Sequence, residues 1–69
     1  MSELTIVING EPRRFSNLAS AADLLAQLGL DPRTVVVEVN RSIVRRPQLH
    51  DTPLSDGDAV ELVHFVGGG

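Results

Sequence analysis

The stretch Ala59-Val60-Glu61-Leu62-Val63-His64-Phe65-Val66-Gly67-Gly68-Gly69 decides how this chain is read. Its first eight residues are mostly apolar and predict a strand over 59–66. Three glycines follow directly. Side chains along a strand alternate between its two faces. Glu61 belongs toward solvent, because burying a carboxylate without a partner is costly. That parity turns Val60, Leu62 and His64 inward. It leaves Val63 and Phe65 on the open face with Glu61, so an aromatic and a valine stand on the solvent side next to the glycines.

The same parity applies to a second β-branched run, Thr34 to Val39. Glu38 points outward and takes Val36 with it, while Val37 and Val39 turn inward. If the two strands are neighbours, Val36, Val63 and Phe65 form one exposed apolar patch. Patches of this kind mark partner surfaces, which makes Val36, Val63 and Phe65 the candidate docking residues.

The remaining segments supply the rest of a small fold. Leu4 to Ile8 predicts a strand, and Asn9-Gly10 is a strong hairpin signal, because a type I′ turn needs positive φ at both central residues. Glu11 to Phe15 returns as a strand. Pro12 suits a sheet edge, where a missing N–H is tolerated. Ser20 caps a helix of about nine residues, with Asp23 in capping-box position and Gly29 as the left-handed stop. Ala21, Leu24, Leu25 and Leu28 form its apolar stripe. Asn40-Arg41 is a turn, Ile43-Val44 a short strand ended by Pro47, and Ser55-Asp56-Gly57-Asp58 a tight turn. One helix covers one face of a sheet and leaves the other to solvent. The expected fold class is α+β: a mixed sheet of four to five strands packed on one helix. Residues 1–66 form the domain and residues 67–69 a flexible tail.

Composition narrows the function. Sixty-nine residues make one domain with a marginal core, and without Cys no disulfide staples it and no thiolate is present for redox or metal chemistry. Two Phe are the only aromatics, so the core is aliphatic. A net charge of −3 argues against nucleic acid. No apolar run approaches the ~18 residues of a membrane span, and no secretory signal opens the chain, so a cytoplasmic location is expected. His50 and His64 are too few ligands for zinc. Asp56 and Asp58 lack the further oxygens that calcium needs and read as turn chemistry. Ser20 is a cap without a neighbouring base, and no nucleophile–base pair is visible, so the chain is not expected to be an enzyme.

The glycines do not make a phosphate loop, because no helix follows to supply N–H groups and a dipole. Glycine has no Cβ, so three in a row can thread a channel closed to other residues. Fully extended, residues 66–69 reach roughly 13 Å, enough to deliver a carboxylate into another protein's active site.

The layout resembles the ubiquitin-like β-grasp fold, and specifically the sulfur carriers of thiazole (thiamin) biosynthesis. The motifs that carry the resemblance are Val37-Glu38-Val39-Asn40, Ile43-Val44, Leu54-Ser55-Asp56-Gly57-Asp58 and the stretch from Val60 to Gly69. The resemblance implies that an ATP-dependent, ubiquitin-activating-like adenylyltransferase activates the Gly69 carboxylate as an acyl-adenylate. A persulfide, such as that of a cysteine desulfurase, then displaces AMP. The resulting thiocarboxylate donates its sulfur through thiazole synthase. ATP and Mg²⁺ belong to the partner, and this chain itself binds no cofactor. Gly69 is then the reacting residue, Gly68 gives steric access, and Gly67 extends the reach beside the docking patch. The alternatives are the small subunit of molybdopterin synthase, with the same tail chemistry, and a ubiquitin-like protein modifier.

Overall fold

The computed structural model describes residues 3–65, and the expectations resting on Val66, Gly67, Gly68 and Gly69 lie outside the described residues. The elements run β1 (Glu3–Ile8), β2 (Glu11–Ser16), α1 (Ala21–Leu28), β3 (Val35–Val39), β4 (Ser42–Val44) and β5 (Ala59–His64). The strands form one five-stranded sheet in the order β2-β1-β5-β3-β4. Three neighbouring pairs are antiparallel, and β1 and β5 run parallel. This is the expected mixed sheet with one helix, at the upper of the two strand counts.

Two tight turns follow from local backbone chemistry. Asn9 and Gly10 adopt φ of 49° and 87° and join paired Ile8 and Glu11. Asn40 and Arg41 adopt φ of 50° and 73° and join paired Val39 and Ser42. Positive φ at both central residues matches the right-handed twist of the flanking strands. Pro12 lies on the edge strand β2, opposite Val7.

The helix is capped at both ends. Ser20 Oγ accepts from the Asp23 N–H at 3.3 Å, and Asp23 Oδ2 accepts from the Ser20 N–H at 3.1 Å. Gly29 closes the other end in the left-handed region, donating its N–H to the Ala26 carbonyl. Ala21, Leu24 and Leu25 are buried against Ile6, Val37, Val60 and Leu62 of the sheet's inner face, and Leu28 packs half-buried at the rim. Phe15 is the one aromatic of this core, and Leu49 and Leu54 pin the long β4–β5 connection to it.

Several boundaries differ from the sequence reading, most of them by one residue. Thr34 ends a 3₁₀ turn, Pro32–Thr34, so β3 begins at Val35. The Asp31 carboxylate caps that turn by accepting from the Arg33 N–H at 2.9 Å. A second 3₁₀ turn, Arg46–Gln48, contains Pro47. β5 ends at His64 instead of 66, although Phe65 still donates its N–H to the Thr34 carbonyl at 3.1 Å. Among the described residues, no helix is long and apolar enough to cross a membrane.

Candidate docking face

The open face of the sheet is set by the register of β3 against β5. Val36 lies opposite Val63, and Glu38 opposite Glu61. On the inner face, Val37 lies opposite Leu62 and Val39 opposite Val60. The structure therefore brings Val36, Val63 and Phe65 to one side, as the alternation predicts, with Val36 half-buried beneath the other two. Ile43 joins them. It pairs with Glu38 across β4 and is 66% exposed, while Val63 and Phe65 are each 54% exposed. Among the described residues these three are the exposed large hydrophobics; the register puts Ile43 and Val63 on the open face, and Phe65 lines one hollow with Val36 and Ile43. The sequence reading missed Ile43. The signal was available, because a two-residue turn at Asn40-Arg41 sets Ile43 opposite Glu38 and hence on Glu38's face.

β5, which carries Val63 and leads to Phe65, is fixed by two asparagine side chains at positive φ. Asn9 Nδ2 donates to the Leu62 carbonyl at 3.2 Å, and Asn9 Oδ1 accepts from the Leu62 N–H at 2.8 Å. The side-chain amide thus imitates a strand's peptide group and continues the β1–β5 ladder past the point where β1 turns away. Asn40 holds the other end of β5. Its Oδ1 accepts from the Ala59 N–H at 3.0 Å, and its own N–H donates to the Ala59 carbonyl at 2.7 Å.

Both acidic residues of the 55–58 turn have structural partners. Asp56 Oδ1 accepts from the Thr5 N–H at 2.6 Å. Asp58 accepts from the Ser55 N–H at 2.8 Å and from Asn40 Nδ2 at 3.1 Å. These bonds agree with turn chemistry, and Gly57, at φ 89°, supplies the conformation that other residues resist. His64 lies on the inner side, opposite Val35, but is exposed. It borders an open cleft lined also by Ile8, Asn9, Arg13, Leu28, Leu30 and Leu62. Among the described residues, no group of three His, Cys, Asp or Glu side chains is placed to hold a metal ion.

Near the root of the tail, Arg33 grips Asp31 through a 2.8 Å ion pair. The guanidinium hydrogen bond, with help from the Arg33 backbone N–H, lowers the Asp31 carboxyl from its ordinary 3.8 to about 2. Arg46 adds a smaller attraction of the same sign.

A mixed sheet in the order β2-β1-β5-β3-β4 on a single helix, with an apolar open face beside its last strand, defines a ubiquitin-like β-grasp protein. Residues 6–69 match the profile of the ThiS family, and the chain belongs to that family. It is 38% identical over 63 residues to the sulfur carrier protein ThiS of Bacillus subtilis, covering 90% of this chain and 96% of that one. It is also 44% identical over 66 residues to a thiazole synthase of Paramagnetospirillum magneticum, covering 96% of this chain. This chain spans only 20% of that synthase's length. Among solved structures, the thiamine biosynthesis protein (ThiS) of Geobacter metallireducens superposes with a TM-score of 0.79 at 33% identity, over 96% of this chain and all of that one.

Proposed function

We propose that this chain is a sulfur carrier of thiamin biosynthesis whose Gly69 carboxylate is converted to a thiocarboxylate. The observation that carries the reading is one of placement. In a member of the ThiS family, the strand bearing the exposed Val63 is followed in sequence by Phe65, Val66 and then Gly67, Gly68 and Gly69.

The chemistry requires a free carboxylate on Gly69. A carboxylate resists attack by sulfur because it is anionic and offers only oxide as a leaving group. An adenylyltransferase overcomes this with ATP and Mg²⁺. The carboxylate oxygen attacks the α-phosphorus, pyrophosphate leaves, and an acyl-adenylate forms. A persulfide sulfur from a desulfurase-type donor then attacks the carbonyl carbon and expels AMP. A second thiol opens the sulfur–sulfur bond and leaves the terminal sulfur on Gly69 as a thiocarboxylate. Thiazole synthase takes that sulfur. A related sequence occurring within a thiazole synthase supports this partner. This chain's part is recognition and delivery. Val36, Ile43, Val63 and Phe65 offer an apolar face for docking, and Gly68 and Gly67 leave the path to the reacting carbon clear of side chains.

The test is the intact mass of the protein from cells starved for thiamin. A species with one oxygen replaced by sulfur is expected, and it should vanish when Gly68 and Gly69 are deleted while the fold persists. Lysine-linked adducts with no sulfur-bearing species would overturn the reading in favour of a protein modifier. Co-purification with a molybdopterin synthase large subunit in place of thiazole synthase would reassign the pathway.

A further inference from the structure

Three of the chain's six basic residues line one groove. Arg33, Arg45 and Arg46 rim a hollow of about 490 Å³ whose apolar wall joins Val36, Ile43 and Phe65 of the open face to core residues such as Val37 and Leu49. Among the described residues, no carboxylate lines it. The chain as a whole is acidic, with nine Asp and Glu against six Arg. Positive charge is therefore concentrated against the overall balance, beside Phe65, the last described residue of the chain.

The three arginines are not equivalent. Arg33 is already paired with Asp31. Arg45 and Arg46 are exposed, and neither forms an ion pair among the described residues. A guanidinium presents a planar fork of donors that matches a carboxylate. Aromatic and arginine side chains together are also the composition that protein interfaces favour. A surface that complements this groove brings carboxylates to the rim and an apolar side chain to the wall.

We propose that the groove docks an acidic segment of thiazole synthase, with carboxylates on Arg45 and Arg46 and an apolar side chain against Phe65 and Ile43. The inference rests on the sulfur-carrier reading above. The synthase is chosen as occupant because a sequence 44% identical to this chain occurs within a thiazole synthase, which makes module and synthase permanent neighbours there. Rim charges act chiefly on encounter. The arginines therefore speed association and aim the tail root at the synthase, while the apolar wall sets how long the complex lasts.

The experiment measures association and dissociation rates with thiazole synthase and, in parallel, with the adenylyltransferase from the same genome, at low and high ionic strength. It compares the wild type, R45E/R46E, R45K/R46K and a charge-matched control, R14E/R41E, whose sites lie away from the groove. Circular dichroism confirms that each variant is folded. At low salt, R45E/R46E is expected to associate about 10-fold more slowly or worse and to lose most of its salt dependence, with dissociation changed less. R45K/R46K should keep most of the rate, and R14E/R41E should fall by no more than about 2-fold.

Wild-type association by R45E/R46E would overturn the inference and leave the carrier reading intact. An equal loss in R14E/R41E would overturn it in favour of net charge alone. A loss confined to binding of the adenylyltransferase would overturn the choice of synthase. No binding of the wild type to the synthase at any salt would overturn the inference together with the assignment of this partner. Absence of a sulfur-bearing mass would overturn the carrier reading itself.

Discussion

The two faces of the β3–β5 ladder are built from nearly the same residue types and meet opposite fates. Inward, Val35, Val37, Val60 and Leu62 are buried under the helix. Outward, Val63 and Phe65 stand exposed, with Val36 half-buried beside them and Ile43 across on β4. The inner face removes apolar area from water and holds the domain together. The outer face contributes little of that kind, yet keeps its apolar residues where folding alone does not require them. Glu38 and Glu61 sharpen the contrast. They lie directly opposite each other on the outer face, and like charges so placed destabilise a sheet. The open face therefore contributes less to stability than the inner one.

The comparison breaks most visibly under truncation. Leu62→Ala on the inner face is expected to cost about 2–5 kcal/mol, whereas Val63→Ala next to it should stay within about 0.5 kcal/mol. Urea unfolding of the two variants measures the difference, and equal losses would show that the outer face is structural after all.

A smaller loss is expected at the strand's clamp. Asn9→Ala removes both bonds to Leu62 and strands its N–H and carbonyl. The expected cost is about 1–3 kcal/mol, with faster amide exchange at Leu62.

Much of this design was legible in the residues. Asn9-Gly10 announces its hairpin because few other pairs accept positive φ twice. The Ser20/Asp23 cap and the Gly29 stop bound the helix. Glu61 and Glu38 fix which side of each strand is wet. What stayed hidden depends on long-range placement. Parallel pairing of β1 with β5 joins the two ends of the chain, and no local pattern encodes it. The bonds from Asn9 to Leu62 span 53 positions and exist only once that pairing has formed. Ile43 sits in a strand of only three residues, too short to show alternation on its own. β5 ends at His64, opposite the first residue of β3, Val35, and beyond that pair the Pro32 turn leaves Thr34 with only the carbonyl bond from Phe65. The exposed apolar patch was thus readable except for Ile43. The arginine rim was not, because the 3₁₀ turns at Pro32 and Pro47 are what gather Arg33, Arg45 and Arg46.

Relief of the outer face's repulsion should be modest and of opposite sign. Glu61→Thr replaces one of two opposed carboxylates with a β-branched side chain, and a gain of roughly 0.2–1 kcal/mol is expected. The gain should shrink in high salt, where the charges are already screened.

The smallest effect lies in acid. Asp31 has its carboxyl lowered from 3.8 to about 2, so its ion pair with Arg33 stabilises the fold fully above the ordinary value. That contribution fades as pH falls from about 4 toward about 2, because the folded state then gives up its advantage in holding the charged form. Asp31→Asn should therefore lower neutral stability slightly, since both partners are exposed, and converge with the wild type near pH 2, which flattens this part of the acid unfolding curve.

The central claim is that the inner face makes the fold while the outer face and the glycine end deliver sulfur. The most direct test pairs two readings on one variant, Val63→Asp/Phe65→Asp: the urea midpoint, and the fraction of protein carrying sulfur in thiamin-starved cells. The account predicts a midpoint close to wild type and loss of the sulfur-bearing species. A folded variant that still acquires sulfur at the wild-type level would contradict it.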